Sequence, residues 1–402
     1  MKDAIIKLKA GKNGNLKQGH PWIYKRQISR AYLSTGCGDI VSVVNADGKF
    51  IGKGYYNPKS LISVRLLTFN NEPINEEFFE KRIMQAIDKR KGLLKQTNAY
   101  RAVFSEADGL PGLIVDVYSD TAVLQIFTLG MERLKEEILI NSIRKILNPK
   151  YIYEKSDSPL REIEGLMRIK KWWSEAGNNT IEIFEGLPAE GAGKAKFYVD
   201  IENGHKTGFY LDQRSSRAAA GSISKNKTVL DLFCYTGGFC INAALSGAKK
   251  VYAVDIKQDW LNLAHKNACL NGVLEKIEFI KSDVFSFLKE KHQNGESFDV
   301  VIIDPPSFLK TRKSLQTAAR GYEELNLTAM KILNEGGVLC TFSCSHNMPN
   351  DLFSQILKTA ASQAKKNYTI LKRCHQAKDH PIVREIPETE YLKGYFLKIH
   401  SA

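Results

Sequence analysis

A chain of 402 residues is too long for one ordinary domain, so two or three are expected. Its apolar content of 43% and charged content of 25% exclude a disordered chain, no apolar stretch is long enough to span a bilayer, and Met1-Lys-Asp-Ala-Ile opens no signal peptide, so a cytoplasmic protein without a membrane partner is expected. The formal charge of +14 is uneven: residues 1–72 hold 12 Lys/Arg against 4 Asp/Glu, residues 73–199 hold 19 of each, and residues 200–402 hold 27 against 21. A basic N-terminal unit suits a polyphosphate partner, because counterion release drives such binding.

Residues 1–72 read as short strands and tight turns. Asp39–Tyr56 is a hairpin turning at Asn45-Ala-Asp-Gly48, and Leu61–Leu67 is a further strand, which together suggest a small β-barrel. Gly19-His-Pro-Trp-Ile-Tyr-Lys-Arg26 sets aromatics beside bases, as an RNA-binding surface would, with Lys17, His20, Trp22, Lys25 and Arg26 as its candidates. Core packing is the competing reading for Trp22 and Tyr24. Residues 73–190 read as α+β, with a helix from about Asn75 to Lys95 and a polar turn Ser105-Glu-Ala-Asp-Gly-Leu-Pro-Gly112. A hairpin through Ser119-Asp120 follows, then a helix over about Arg133–Leu147 and strands near Tyr151–Glu154 and Thr180–Phe184. From 191 to 402 strands and helices alternate, which predicts a mostly parallel sheet covered on both faces. Strands are expected near 228–231, 251–254, 277–280, 299–303 and 337–342, with Ile370–Cys374 and Tyr395–Ile399 as an antiparallel edge pair.

The chemistry gathers at the ends of those strands. Asp231 closes the first of them, and Tyr235-Thr-Gly-Gly238 leads into a helix, so backbone amides can face a ligand. Asp255 ends the next strand, where a carboxylate can hold ribose hydroxyls, and Asp283 follows the third, placed for an adenine edge. Helix capping is the alternative for both. The dinucleotide fingerprint Gly-x-Gly-x-x-Gly is absent, and three acids suit the cationic S-adenosylmethionine better than an anionic dinucleotide. Lys206-Thr-Gly-Phe-Tyr-Leu-Asp-Gln-Arg214 can fold over that cofactor through Thr207 and Gln213, or begin a helix capped by Asp212.

Asp304-Pro-Pro306 fixes a carboxylate at a rigid bend, suited to aligning a base. Cys344, flanked by Ser343, Ser345 and His346, has the setting of a nucleophile. A thiolate adding to carbon 6 of a pyrimidine makes carbon 5 able to accept a methyl group. Cys340, inside the apolar run, reads as inert core. Seven cysteines without a Cys-x-x-Cys pair argue for reduced thiols, and no metal site is expected.

Taken together, Gly19-His-Pro-Trp22, Glu106-Ala-Asp-Gly-Leu-Pro-Gly112, Lys206–Arg214, Asp231-Leu-Phe-Cys-Tyr-Thr-Gly-Gly238, Asp304-Pro-Pro306, Phe342-Ser-Cys-Ser345 and Asp379-His-Pro-Ile382 give the chain a resemblance. It resembles the bacterial 23S ribosomal RNA cytosine-5 methyltransferases that carry an N-terminal PUA domain. The resemblance implies a PUA domain over 1–72, a central α+β domain over 73–190, and a Rossmann-like class I methyltransferase domain over 191–402. It also implies S-adenosylmethionine as cofactor, 23S ribosomal RNA as partner, Cys344 as nucleophile and Asp304 beside the target base; a homodimer is compatible with it. Many RNA cytosine-5 methyltransferases carry a second cysteine beside Asp-Pro-Pro, where this chain has Ser307 and Phe308. Two alternatives stay open: methylation of a guanine or exocyclic nitrogen without a covalent step, and a non-catalytic RNA-binding assembly factor.

Overall fold

In the computed structural model, which describes residues 4–12, 14–32, 36–186, 193–308 and 315–402, the chain divides into two compact units. The first comprises Met1–Ile183, Val199–Leu211 and Lys378–Thr389; the second comprises Phe184–Tyr198, Asp212–Ala377 and Glu390–Ala402. The expected boundary at 72/73 falls inside the first unit, and the one at 190/191 lies outside the described residues.

In the first unit the predicted hairpin forms as β4 (Ile40–Val44) and β5 (Phe50–Tyr56). Its turn closes because the Asn45 side chain accepts from the amides of Asp47 at 3.0 Å and Lys49 at 2.8 Å, while Gly48 takes the left-handed φ of 83°. With β1 (Ala4–Leu8), β2 (Trp22–Tyr24), β3 (Ile28–Tyr32) and β6 (Ile62–Thr68) it makes a six-stranded sheet, ordered β2-β6-β5-β4-β1-β3. Ile6, Leu8, Ile23, Val41, Val43 and Val64 fill its core.

A second sheet runs β11-β10-β9-β8-β7, built from β7 (Ala99–Phe104), β8 (Leu113–Tyr118), β9 (Thr121–Ile126), β10 (Tyr151–Ser156) and β11 (Ile169–Trp172). The helix Glu76–Asp88 starts where the sequence indicates, Asn75 accepting from the Phe78 amide at 3.1 Å, but it ends before Lys95. The reason is Arg90, which turns inward, forks onto Asp108 at 2.9 and 2.7 Å, and bonds the Arg101 carbonyl. Strand β11, Ile-Lys-Lys-Trp, escapes a hydrophobicity reading because it is a short basic edge strand.

The chain reaches the second unit through the paired strands β12 (Thr180–Gly186) and β13 (Lys194–Asp200). There β14 (Thr228–Leu232), β15 (Lys250–Asp255), β16 (Ile277–Lys281), β17 (Phe298–Ile303), β18 (Leu333–Ser343), β19 (Lys366–Cys374) and β20 (Lys393–Ser401) form one sheet, ordered β16-β15-β14-β17-β18-β20-β19. The pairs β14–β15, β15–β16, β14–β17 and β17–β18 are parallel, whereas β20 is antiparallel to both β18 and β19, as the sequence predicts for the tail. Val229, Leu230, Leu232 and Val300–Ile303 are fully buried, as strands covered on both faces must be. Helices Val284–Gln293, Leu315–Lys331 and Asn350–Gln363 share one apolar core with the sheet. The second unit is therefore the expected mostly parallel α/β sheet with an antiparallel edge, and the first carries the expected small β domain at its N-terminus. Among the described residues no helix is long and apolar enough to cross a membrane.

β20 lies tightly against β18. A Cβ at Gly394 would stand 2.3 Å from Cδ1 of the fully buried Phe342 ring. Gly394→Ala should therefore destabilise the protein by about 2–3 kcal/mol, read as a lower denaturant midpoint at unchanged slope.

Candidate active site

Strands β14, β15, β17 and β18 run the same way, so the residues that follow them collect at one edge of the sheet. Strand order reverses at β14, which has β15 on one side and β17 on the other. Asp231, in β14, is completely buried: Oδ2 accepts from the Cys240 amide at 2.9 Å, and among the described residues Oδ1 has no hydrogen-bond partner. Burial pushes its carboxyl well above the usual range against the pull of that amide, and the Asp304 and Asp255 carboxylates push it further.

The turn after Asp231 is bent hard. Phe233 and Tyr235 hold φ of 62° and 50°, conformations uncommon for residues with a side chain, and Gly237 has φ of 89°. A Cβ on Gly237 would approach Ile241 Cδ1 to 3.0 Å. Asp255 fastens the turn, its two carboxylate oxygens accepting from the amides of Tyr235 and Lys257, each at 3.0 Å. Asn267, buried in the helix Gln258–Leu270, donates to the Thr236 carbonyl at 3.0 Å, and the Thr236 hydroxyl is buried without a partner. Gly238 opens the helix Gly238–Leu245, and the Tyr235 ring stands edge-on to Trp260.

Asp283 is exposed and caps the helix Val284–Gln293 by accepting from the Ser286 amide at 3.0 Å, the alternative that the sequence left open. Gln213 precedes the helix Arg214–Ser222 and is buried, with neither its amide oxygen nor its nitrogen bonded. The Asp212 carboxylate accepts from the Tyr391 hydroxyl at 2.6 Å. Thr207 belongs to the first unit, where it is fully buried and its hydroxyl donates to Asp116 at 2.5 Å and pairs with Tyr118 at 2.8 Å.

Cys344 comes one residue after β18 ends and is partly exposed, its Sγ lying 3.9 Å from the Pro305 carbonyl oxygen in the Asp-Pro-Pro bend. Asp304 is likewise half-buried. Cys234, Cys240, Cys340 and Cys374 are buried, and burial pushes each of their thiols up. Lys393, far along the chain from Cys344 and invisible to motif reading, bonds the Ser345 carbonyl at 2.9 Å.

In the first unit the structure divides the five basic and aromatic candidates. Lys17, Lys25 and Arg26 are exposed. His20 is buried with Nε2 3.1 Å from Glu388, and the indole of the partly buried Trp22 donates to Glu106 at 2.9 Å. The open feature is a cleft of about 630 Å³ lined by Lys9, Lys12, Asn15, Tyr24, Arg26 and Gln27. Of these, Lys9 and Lys12 carry no motif and show only as part of the N-terminal excess of positive charge.

Residues 6–69 match the model of a PUA-like domain, and residues 170–386 match that of S-adenosylmethionine-dependent methyltransferases. The ribosomal RNA large subunit methyltransferase I of Pseudoalteromonas translucida is 39% identical over 99% of this chain and 100% of its own length. The protein of the same name from Escherichia coli strain SMS-3-5 is 38% identical over 98% of each chain. Among solved structures, an S-adenosylmethionine-dependent methyltransferase from Streptococcus mutans superposes with a TM-score of 0.82, covering 98% of this chain and 99% of that one at 22% identity, which shows the fold.

S-adenosylmethionine fits the residues present. The bare Asp231 oxygen, the unbonded Gln213 amide and the unbonded Thr236 hydroxyl are buried polar atoms that the protein leaves unpaired, and the crowded carboxylates favour a cation. Asp231→Asn keeps an oxygen for the Cys240 amide and removes the buried charge. The ligand-free protein should melt no lower than wild type, while calorimetry should show S-adenosylmethionine affinity reduced at least about tenfold.

Proposed function

This chain belongs to the family of S-adenosylmethionine-dependent ribosomal RNA large subunit methyltransferases, and on that premise we propose that it methylates carbon 5 of a cytidine in 23S ribosomal RNA through a covalent bond to Cys344. The observation that carries this reading is the partly exposed Cys344 thiol beside the Pro305 carbonyl, just past the end of β18, while Cys340 within that strand is sealed in the core. A nitrogen methyltransferase has no use for a thiol in that position.

When bound, S-adenosylmethionine supplies an electrophilic methyl group on its sulfonium. The chain provides the rest. Asp231, Gln213, Thr236 and Gly237–Gly238 bind the cofactor, with Asp255 for its ribose hydroxyls and Asp283 at the adenine end. The Cys344 thiolate adds to carbon 6 of the cytosine, and the ring electrons shift so that carbon 5 can form its bond to the methyl carbon as the bond from that carbon to the sulfonium sulfur breaks, its electron pair staying on sulfur. Asp304 holds the polar edge of the base. Transfer of the carbon 5 proton to solvent water then restores the ring double bond and expels the Cys344 thiolate. Ser307 and Phe308 stand where many related enzymes have a second thiol, so Cys344 both attacks and leaves. The target nucleotide must leave its stack, which is least costly in a loop.

We also infer a division of labour along the chain: a PUA-like RNA-binding domain at 1–72, a central domain at 73–190 and the methyltransferase domain at 191–402. In the first, Lys9, Lys12, Lys17, Lys25 and Arg26 meet phosphates, and Tyr24 offers its ring to a base.

Cys344→Ala should abolish incorporation of labelled methyl into 5-methylcytidine, measured by nucleoside mass spectrometry of 23S ribosomal RNA, with cofactor affinity unchanged within about twofold. Label appearing in a methylguanosine would instead favour the non-covalent alternative. Replacing Lys9, Lys12 and Arg26 with Ala should flatten the plot of log affinity for RNA against log salt by about 2. An unchanged slope would remove the cleft from the RNA path.

A further inference from the structure

A buried ammonium beside the nucleophile has no place in the scheme above. Lys393 opens β20 opposite Ser343 in the antiparallel pairing with β18, one residue before Cys344. Only 7% of its surface is exposed. Its Nζ donates to two backbone carbonyls, Ser345 at 2.9 Å and Tyr391 at 3.1 Å, and among the described residues no carboxylate lies within ion-pair distance of it. Burying an ammonium against neutral acceptors is costly, and a residue of similar length without charge would fill the same space at less expense. The fold keeps the charge nonetheless, and keeps it bonded to the residue that follows Cys344.

We propose that Lys393 is a positioning residue for the Cys344 thiolate: it fixes the Cys344-Ser345 backbone and supplies the positive charge that favours ionisation of the thiol. This inference rests on the covalent reading of Cys344. The groups around the thiol come from four directions. The Asp304 carboxylate and the Pro305 carbonyl follow β17, the Tyr322 phenol comes from the helix Leu315–Lys331, and His346 belongs to the same loop as the thiol. Lys393 and Tyr391, with the exposed Glu390 behind them, complete the set. Burial pushes the Tyr322 phenol up, and the charges of Cys344 and Asp304 push it further, so it stays neutral and supplies no charge of its own. Burial pulls the Lys393 ammonium down, while Glu390 and an ionised Cys344 pull it back up, so thiolate and ammonium stabilise each other.

The test separates charge from hydrogen bonding. Lys393→Gln can still donate to the two carbonyls but carries no charge; Lys393→Arg keeps the charge. Both are made in the full chain, and the rate of alkylation of Cys344 by iodoacetamide is followed between pH 6 and 10 by mass spectrometry of the peptide containing it. Lys393→Gln should shift the profile upward by about one pH unit, slow alkylation about tenfold at pH 7, and lower kcat without raising KM for RNA. Lys393→Arg should stay within about threefold of wild type on all three. A Lys393→Gln profile that superposes on wild type, or an equal shift in both variants, overturns the proposal. Because alkylation needs no RNA, it reports on Lys393 even if Cys344→Ala retains methylation, which would sink the covalent reading instead.

Discussion

A buried carboxylate with one oxygen left unbonded among the described residues is the constraint on which the second unit depends. Asp231 stands at the end of an apolar parallel strand, bonded by one amide and bare on its other oxygen. The Cys240 amide offsets only part of the cost of placing a charge there, and burial leaves the carboxyl well above its usual range. The backbone that follows is also held uphill, with two non-glycine residues in left-handed conformations within three positions. Bare oxygen, backbone strain and the close approach at Gly237 coincide where strand order reverses at β14. On the proposed reading this is a binding site built at some expense of stability, which a cationic ligand would relieve.

The same geometry sorts the thiols. Within β18 a side chain is sealed between sheet and helices, as Cys340 is; four positions later the strand has ended and Cys344 meets solvent. A thiol needs access and a stabilised anion before it can act as a nucleophile, and only the strand end provides the access. The bend at Asp304-Pro-Pro306 brings a second strand end beside it. Methyl acceptor and donor can thus meet at one edge of the sheet because parallel strands all finish there. In the first unit, a cleft with Lys9, Lys12 and Arg26 surrounds the half-buried ring of Tyr24, the surface proposed to hold RNA.

Much of this was legible in the sequence because local rules agreed with the fold. Buried parallel strands read as continuous apolar runs, so β14, β15 and β17 with their terminal acids, and β18 with the thiol that follows it, are readable. The hairpin turn at Asn45–Gly48 followed from its side-chain chemistry. What sequence could not supply were contacts between distant residues. The helix after Asn75 stops early because Arg90 is drawn to Asp108, and periodicity has no access to that pull. His20 and Trp22 looked like a binding surface, yet Glu388 and Glu106 claim them. Thr207, close in sequence to Gln213, is claimed by Asp116 and Tyr118. Lys393 carries no motif and becomes meaningful only through its register opposite Ser343.

The covalent role of Cys344 is tested most directly by incubating the full-length protein and S-adenosylmethionine with 23S ribosomal RNA in which cytidine is replaced by 5-fluorocytidine. Fluorine at carbon 5 cannot be removed as a proton is, so the account predicts a stable protein–RNA adduct whose digestion yields a modified peptide at Cys344. RNA methylated in this assay without any such adduct, or an adduct on another residue, would contradict it.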